Sequence, residues 1–146
     1  MAHLFDSNVF LRLAQKNSPQ RSVVLDAVRK LRSQNEIIYY TPQVLAEFWN
    51  VCTRPTSARG GFGLTAEQTA RKAGLVQKHF RLLPDNRATF DEWLRLVVDN
   101  QIRGVSVHDA KLAASMIVHN IRYLVTFNEK DFRRFPMIRV INPSNI

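Results

Sequence analysis

Apolar residues along this chain fall into two patterns: short unbroken runs, and longer stretches with a helical period of about 3.6 residues. The first short run is His3-Leu4-Phe5, and it stops at Asp6. Val9, Phe10, Leu13 and Ala14 follow at helical spacing, predicting a helix from near Ser7 that ends before Asn17-Ser18-Pro19. A second helix is predicted from about Arg21 to Ser33. It would bury Val24, Leu25, Val28 and Leu31 and hold Arg29, Lys30 and Arg32 on its other side. Ile37-Ile38-Tyr39-Tyr40 is β-branched and aromatic and predicts the second strand.

Thr41-Pro42 supplies a hydroxyl N-cap and a proline at the first helical position. The helix it opens has Val44, Leu45, Phe48, Val51 and Cys52 as its apolar arc, with Glu47 on the flank of that arc. The stretch from Arg54 to Gly63 holds three of the five glycines and predicts a loop. Thr65-Ala66-Glu67-Gln68 fits a capping box and starts a helix to about Phe80. Leu82-Leu83 predicts a very short strand closed by Pro84.

A further helix is expected with Asp91 and Glu92 in its first turn and Phe90, Trp93, Leu94, Val97 and Val98 as its core side. Ser106-Val107-His108-Asp109 begins the next, with Leu112, Ala113, Met116 and Ile117 inward. Tyr123-Leu124-Val125 and Ile138-Arg139-Val140-Ile141 are the remaining strands. Strands alternating with helices predict an α/β fold with a largely parallel sheet. No repeat or boundary separates two cores, so residues 1–146 are expected to form one domain.

Composition narrows the function classes. The single Cys52 has no internal disulfide partner, which together with the lack of a leader-like start predicts a reducing, cytoplasmic setting. No apolar run approaches the ~20 residues of a bilayer span, and Cys and His are too few for a familiar zinc site. Lys and Arg number 21 against 12 acids, a net charge of +9, which suits a polyanionic partner.

Against that basic background, a few acids and amides stand where strands end or helices begin: Asp6, Asp109, and Asn128 with Asp131, joined by Glu47 in its helix. In a parallel α/β sheet such positions share the carboxyl edge, where ligands bind. An all-oxygen set without Cys or His suits a hard cation, Mg²⁺ or Mn²⁺. Each residue also has a plainer reading. Asp6 can cap the helix after strand one, and Asp109 completes a Ser106-x-x-Asp109 capping pattern. Glu47 can be a solvated helix side chain, and Asn128 and Asp131 can serve a turn.

Taken in order, Phe5-Asp6-Ser7-Asn8-Val9, Ala46-Glu47-Phe48, His108-Asp109-Ala110 and Val125-Thr126-Phe127-Asn128-Glu129-Lys130-Asp131-Phe132 resemble the PIN-domain nuclease pattern. Ile138 to Pro143 resembles the closing strand of VapC-like members, and Val51 to Pro55 with Gly61 to Leu64 resembles a loop in one branch of them. The likeness spans roughly residues 3 to 143. It implies a three-layer α/β/α fold around about five parallel strands. It also implies that Asp6, Glu47 and Asp109 form an acidic triad for Mg²⁺ or Mn²⁺, with Asn8 and Thr126 in supporting positions. The family's fourth acidic slot falls on Asn128, an amide that brings an oxygen but no charge, with Asp131 nearby to compensate.

By the same resemblance the chain is an endoribonuclease that hydrolyses RNA with a metal-activated water. It would be the toxin of a toxin–antitoxin pair, with a cognate antitoxin docked on the helices from Arg21 to Ser33 and Thr65 to Phe80, and a homodimer. Substrate grip is expected from Arg54 and Arg59 in the loop, from Arg71, Lys72 and Lys78 on the next helix, and from Arg133 and Arg134. Each of these is otherwise an ordinary solvated charge. Two other readings remain: a catalytically weak RNA-binding or scaffold protein, with Asn128 marking a degraded site, and a DNA-directed nuclease. An Asp-x-Asp phosphatase would need an acid at Asn8, and no glycine-rich phosphate loop follows any strand.

Overall fold

All five predicted apolar runs become strands, and all run the same way. In the computed structural model, which describes residues 1–146, they form one sheet in the order β3-β2-β1-β4-β5. β1 is Ala2–Phe5, β2 Ile37–Tyr40, β3 Arg81–Leu82, β4 Tyr123–Val125 and β5 Arg139–Ile141. The helices are α1 (Ser7–Ala14), α2 (Arg21–Ser33), α3 (Pro42–Thr53), α4 (Ala66–His79), α5 (Arg87–Asp99) and α6 (Ser106–Val118). α1 packs on α2 and α3, and α3 on α4, while α5 and α6 pair with each other. The result is a three-layer α/β/α sandwich. No helix is long and apolar enough to cross a membrane.

β1 and β4, at the centre of the sheet, are buried along nearly their whole length, so they read as short continuous apolar runs rather than alternations. Leu4, Phe5, Leu124 and Val125 are fully buried at the centre. Register then fixes the edge that matters. Phe5 pairs with Val125 and Val125 with Ile141, so the chain leaves β1, β4 and β5 side by side at Asp6, Thr126 and Asn142. After β1 the chain builds outward through β2 and β3, then returns to add β4 on the other side of β1. The gap between the ends of β1 and β4 is therefore the topological switch point, where open α/β sheets bind ligands.

Local chemistry sets the helix starts. Thr41 caps α3 by accepting from the Val44 amide at 3.1 Å, with Pro42 first in the helix. Thr65 and Gln68 form the expected capping box of α4. α5 begins earlier than the apolar pattern suggests, because Asn86 accepts from the Thr89 amide at 2.8 Å and caps it. Asp91 and Glu92 consequently lie in its second turn. Its core side is Thr89, Trp93, Leu96 and Val97, whereas Phe90, Leu94 and Val98, expected in the core, are 51%, 45% and 64% exposed. β3 is shifted by one residue, leaving Leu82 exposed while Leu83 is buried and donates its amide to the Tyr40 carbonyl at 2.8 Å.

Candidate active site

Asp6 sits where β1 ends, and its backbone already fixes its direction. Its amide continues the ladder to the Val125 carbonyl at 3.0 Å, and its φ of −74° and ψ of 160° make it the N-cap of α1. Oδ1 accepts from the Ser7 amide at 2.7 Å. Oδ2 accepts from the Thr126 hydroxyl at 2.8 Å and from Asn8 Nδ2 at 3.1 Å. Capping and site membership thus use one carboxylate, and the plain reading does not exclude the functional one. Burial pushes the Asp6 carboxyl up, the bonds from Thr126 and Ser7 pull it down, and the charge of Glu47 pushes it up again.

Thr126 and Asn8 join the two strand ends. The fully buried Thr126 hydroxyl accepts from Asn8 Nδ2 at 2.9 Å and from the Asn128 amide at 3.0 Å while donating to Asp6. Asn8 Oδ1 accepts from the Phe127 amide at 3.1 Å. Both residues therefore hold Asp6 against the turn that follows β4.

Glu47 reaches the same place from α3. Its Oε2 accepts from the Ser7 hydroxyl at 2.9 Å, and its Oε1 from Gln43 Nε2 at 2.9 Å. Gln43 Nε2 also donates to the His108 carbonyl at 2.9 Å, tying α3 to the start of α6 next to Asp109. Ser7 and Gln43 are positioning residues that the sequence reading did not single out. The only signal for Gln43 was its place one helical turn before Glu47; Ser7 lay inside the quoted motif without a role.

Asp109 is no cap. α6 starts after Val105, no side chain caps it, and Ser106 is already helical, so the Ser106-x-x-Asp109 pattern builds no capping box. Its carboxyl is pushed up to about 6, first by burial, then by the charges of Asp131, Asp6 and Glu47, with Arg134 opposing. Four acids from four segments therefore share one field.

The fourth slot differs from expectation in emphasis. The Asn128 side chain is exposed and caps nothing, and Asp131 is the strongest charge acting on Asp109. Arg133 lines a depression of about 350 Å³ with Asn128 and Asp131. Arg54 and Arg59 are not brought to this edge. α3 leaves the edge at Thr41 and runs back for ~18 Å before the loop begins. There Arg54 Nη1 donates to the Arg59 carbonyl at 3.1 Å, a bond internal to the loop. A Cβ on Gly61 would lie 2.4 Å from the Arg54 and Pro55 carbonyl oxygens, so glycine lets the loop fold back on itself. Lys72 likewise points to the far end of α1, at 3.3 Å from the Ala14 carbonyl.

No three of the His, Cys, Asp and Glu side chains are grouped tightly enough to hold a metal ion as they stand. The donor set nonetheless fits a hard divalent cation. It is all oxygen, it carries more negative charge than Arg134 offsets, and the neighbouring acids raise the proton affinity of Asp109 and, through Glu47, of Asp6.

That repulsion makes a stability prediction. A carboxyl held near 6 in the fold but near 3.8 when unfolded binds more protons in the native state between those values. Stability therefore falls as pH rises from about 4 to 6, and Asp109 remains a liability above that. Asp109→Asn should stabilise the metal-free protein at pH 7 by about 1 kcal/mol after discounting for solvent screening, and by almost nothing at pH 4. Urea unfolding at the two pH values measures the difference; equal effects at both would remove the coupling.

The PIN-domain sequence profile matches residues 4–137. The chain belongs to the PIN-domain family. PIN domains are nucleases, a class that generally works with divalent metal ions. This PIN domain superposes on solved chains of low identity. VapBC2 from Rickettsia felis, bound to a fragment of promoter DNA, gives a TM-score of 0.73 at 20% identity, covering 97% of this chain and 98% of that one. VapBC-1 from nontypeable Haemophilus influenzae gives 0.70 at 21% identity, covering 99% of both chains. Mycobacterium tuberculosis VapC20, a toxin that cleaves the sarcin–ricin loop, gives 0.63 at 14% identity, covering 91% and 95%. No curated protein matches the chain.

Proposed function

We propose that this PIN domain is an Mg²⁺- or Mn²⁺-dependent endoribonuclease and the toxin of a toxin–antitoxin pair. The observation that carries the reading is Asp109, whose carboxyl at the sheet's carboxyl edge is pushed up to about 6, first by burial and then by the charges of Asp131, Asp6 and Glu47. Asp6, Glu47 and Asp109 would hold the cation, with Asp131 supplying the charge that Asn128 lacks. When bound, such an ion lowers the pKa of a water and neutralises charge on the phosphate.

The chain's own residues do the rest. Thr126 and Asn8 hold the Asp6 carboxylate still, and Ser7 and Gln43 aim Glu47 at it. Arg133 and Arg134, next to Asp131 in the chain, would grip the phosphate backbone, while the net charge of +9 would draw a polyanion in. The test is cleavage of labelled RNA and of matched DNA with Mg²⁺ or Mn²⁺, with and without EDTA. RNA cleavage abolished by EDTA is expected. RNA binding without cleavage would favour the weak RNA-binding or scaffold reading, and preference for DNA would make it a DNA-directed nuclease.

A groove of about 430 Å³ between α1, α2 and α4 supports the antitoxin partner. Phe10, Val28 and Val76 line it together with Leu75, which is 57% exposed. Its charged residues are Lys16, Arg21, Arg32 and Lys72, with no carboxylate among the lining side chains. The segment that fits has apolar anchors flanked by acids. Leu75→Glu is expected to weaken binding of an antitoxin encoded next to this chain by roughly 10²-fold, as calorimetry would show. Unchanged affinity would move the antitoxin to another face.

A further inference from the structure

His3 and Glu36 bring a second set of ligand-type atoms together, away from the acids. His3 lies near the start of β1 and Asp6 just past its end, about 10 Å further along the strand. Glu36 stands just before β2, which pairs with β1 in the register His3 to Ile38. The cluster therefore sits toward the amino edge of the sheet. His3 is only 6% exposed, with its ring stacked on Tyr123 at 5.0 Å between centroids. Its Nδ1 lies 3.5 Å from Glu36 Oε2, and both atoms are buried without a hydrogen-bond partner. The Met1 nitrogen is 3.1 Å from the same oxygen, an ion contact without hydrogen-bond alignment. Arg32, Lys78 and Arg81 line a depression that Glu36 also borders, yet none of them pairs with it.

We propose that His3 Nδ1 and Glu36 Oε2 are the fixed ligands of a divalent transition-metal site, best suited to Zn²⁺, that clips β1 to the residue leading into β2. Two orphaned buried atoms facing each other are costly as they stand, and one ion gives both a partner. Their spacing is that of a tetrahedral edge, since two ligands each ~2.0–2.1 Å from Zn²⁺ stand roughly 3.3 Å apart. Burial pushes the His3 imidazole down, with the charge of Glu36 opposing, so at neutral pH the ring is uncharged and offers a lone pair. Imidazole with carboxylate suits Zn²⁺, whereas the all-oxygen acids at the other edge suit a harder ion. The Met1 nitrogen is a third donor beside the pair, and water completes the set. Residues 3 and 36 are not held together in the unfolded chain, so binding stabilises the fold.

The site does not rest on the nuclease reading, and its test reads binding and stability rather than cleavage. The measurements use the full chain carrying Asp6→Asn, which weakens the acids at the other edge as a competing site. Calorimetry with Zn²⁺ at neutral pH should show binding, and Zn²⁺ should raise the thermal unfolding midpoint. His3→Phe keeps a ring on Tyr123, and Glu36→Gln keeps the shape of the carboxylate. Each should weaken Zn²⁺ binding by at least roughly 10-fold and cancel the thermal shift. Unfolding without metal confirms that each variant is folded. Long-range proton–nitrogen NMR of the histidine rings reads the ligand directly. The His3 Nδ1 signal should move when Zn²⁺ is added, and the exposed rings of His79, His108 and His119 report binding elsewhere. No Zn²⁺ binding, binding that survives both substitutions, or an unmoved His3 Nδ1 signal would each overturn the proposal.

Discussion

Asp6→Asn should reduce single-turnover RNA cleavage by roughly 10³-fold while leaving the protein folded. The two oxygens of Asp6 are used unequally. Oδ2 is committed to Thr126 and Asn8, while Oδ1 takes the Ser7 amide at 2.7 Å and the Ser7 hydroxyl only at 3.5 Å, and so keeps acceptor capacity. An amide in the same place still accepts from Ser7, so α1 keeps its cap. Its nitrogen, however, would face two donors where Oδ2 stood. Asn8 and the Thr126 hydroxyl must then reorient, at a cost of about 1–2 kcal/mol. The negative charge that Asp6 shares with Asp109 and Glu47 is gone, and with it the reason for a cation to sit there. The measurement is the pre-steady-state rate on labelled RNA, paired with a urea unfolding curve. Wild-type cleavage by a folded Asp6→Asn protein would separate Asp6 from the chemistry.

The central position of Asp6 was legible because it needs only two facts. An apolar run ends at an acid, and parallel strands bring such ends to one edge. Thr126 was legible for the same reason, one residue beyond β4. Glu47 could be placed on the flank of its helix by angle alone. That its carboxylate turns toward Asp6 depends on Ser7 and Gln43, contacts between residues distant in sequence that no local pattern encodes. Asp109 fitted a capping box because Ser106 stands three residues before it. The helix instead starts after Val105, so the serine is one position too late to cap.

The errors of placement have a common cause: pattern gives periodicity but not direction. α5 is apolar over more than half its circumference. Trp93, Leu96 and Val97 lie on one side and Phe90, Leu94 and Val98 on the adjoining one. Nothing local says which side α6 will cover, although Trp93 Nε1 finds the Val107 carbonyl at 2.9 Å and settles it. Arg54 and Arg59 looked suited to gripping phosphate because a glycine-rich basic loop commonly does so. Following α3 from the edge where it begins to the edge where it ends would have put them on the wrong side of the sheet.

Thr126→Val should cost more than the loss of one hydroxyl normally does, about 3 kcal/mol. The side chains are nearly isosteric, so packing at this fully buried position is preserved and the effect is polar. The hydroxyl serves three partners: it donates to Asp6 Oδ2 at 2.8 Å and accepts from Asn8 Nδ2 at 2.9 Å and the Asn128 amide at 3.0 Å. A methyl group leaves two donors and one carboxylate oxygen short of a partner, in a place with little access for water. The turn after β4 loosens, and Asp131 with it. The loss also acts on charge, since the Thr126 bond is the strongest influence holding the buried Asp6 carboxyl down. Without it the carboxyl moves further up, so the acid limb of the cleavage–pH profile should shift to higher pH. Thr126→Ser keeps the hydroxyl and should restore the profile while giving up only the methyl packing. Denaturant midpoints at constant slope measure the first effect, and rates across pH measure the second. A valine variant with wild-type stability and an unmoved profile would show that the two strand ends are held together by backbone alone.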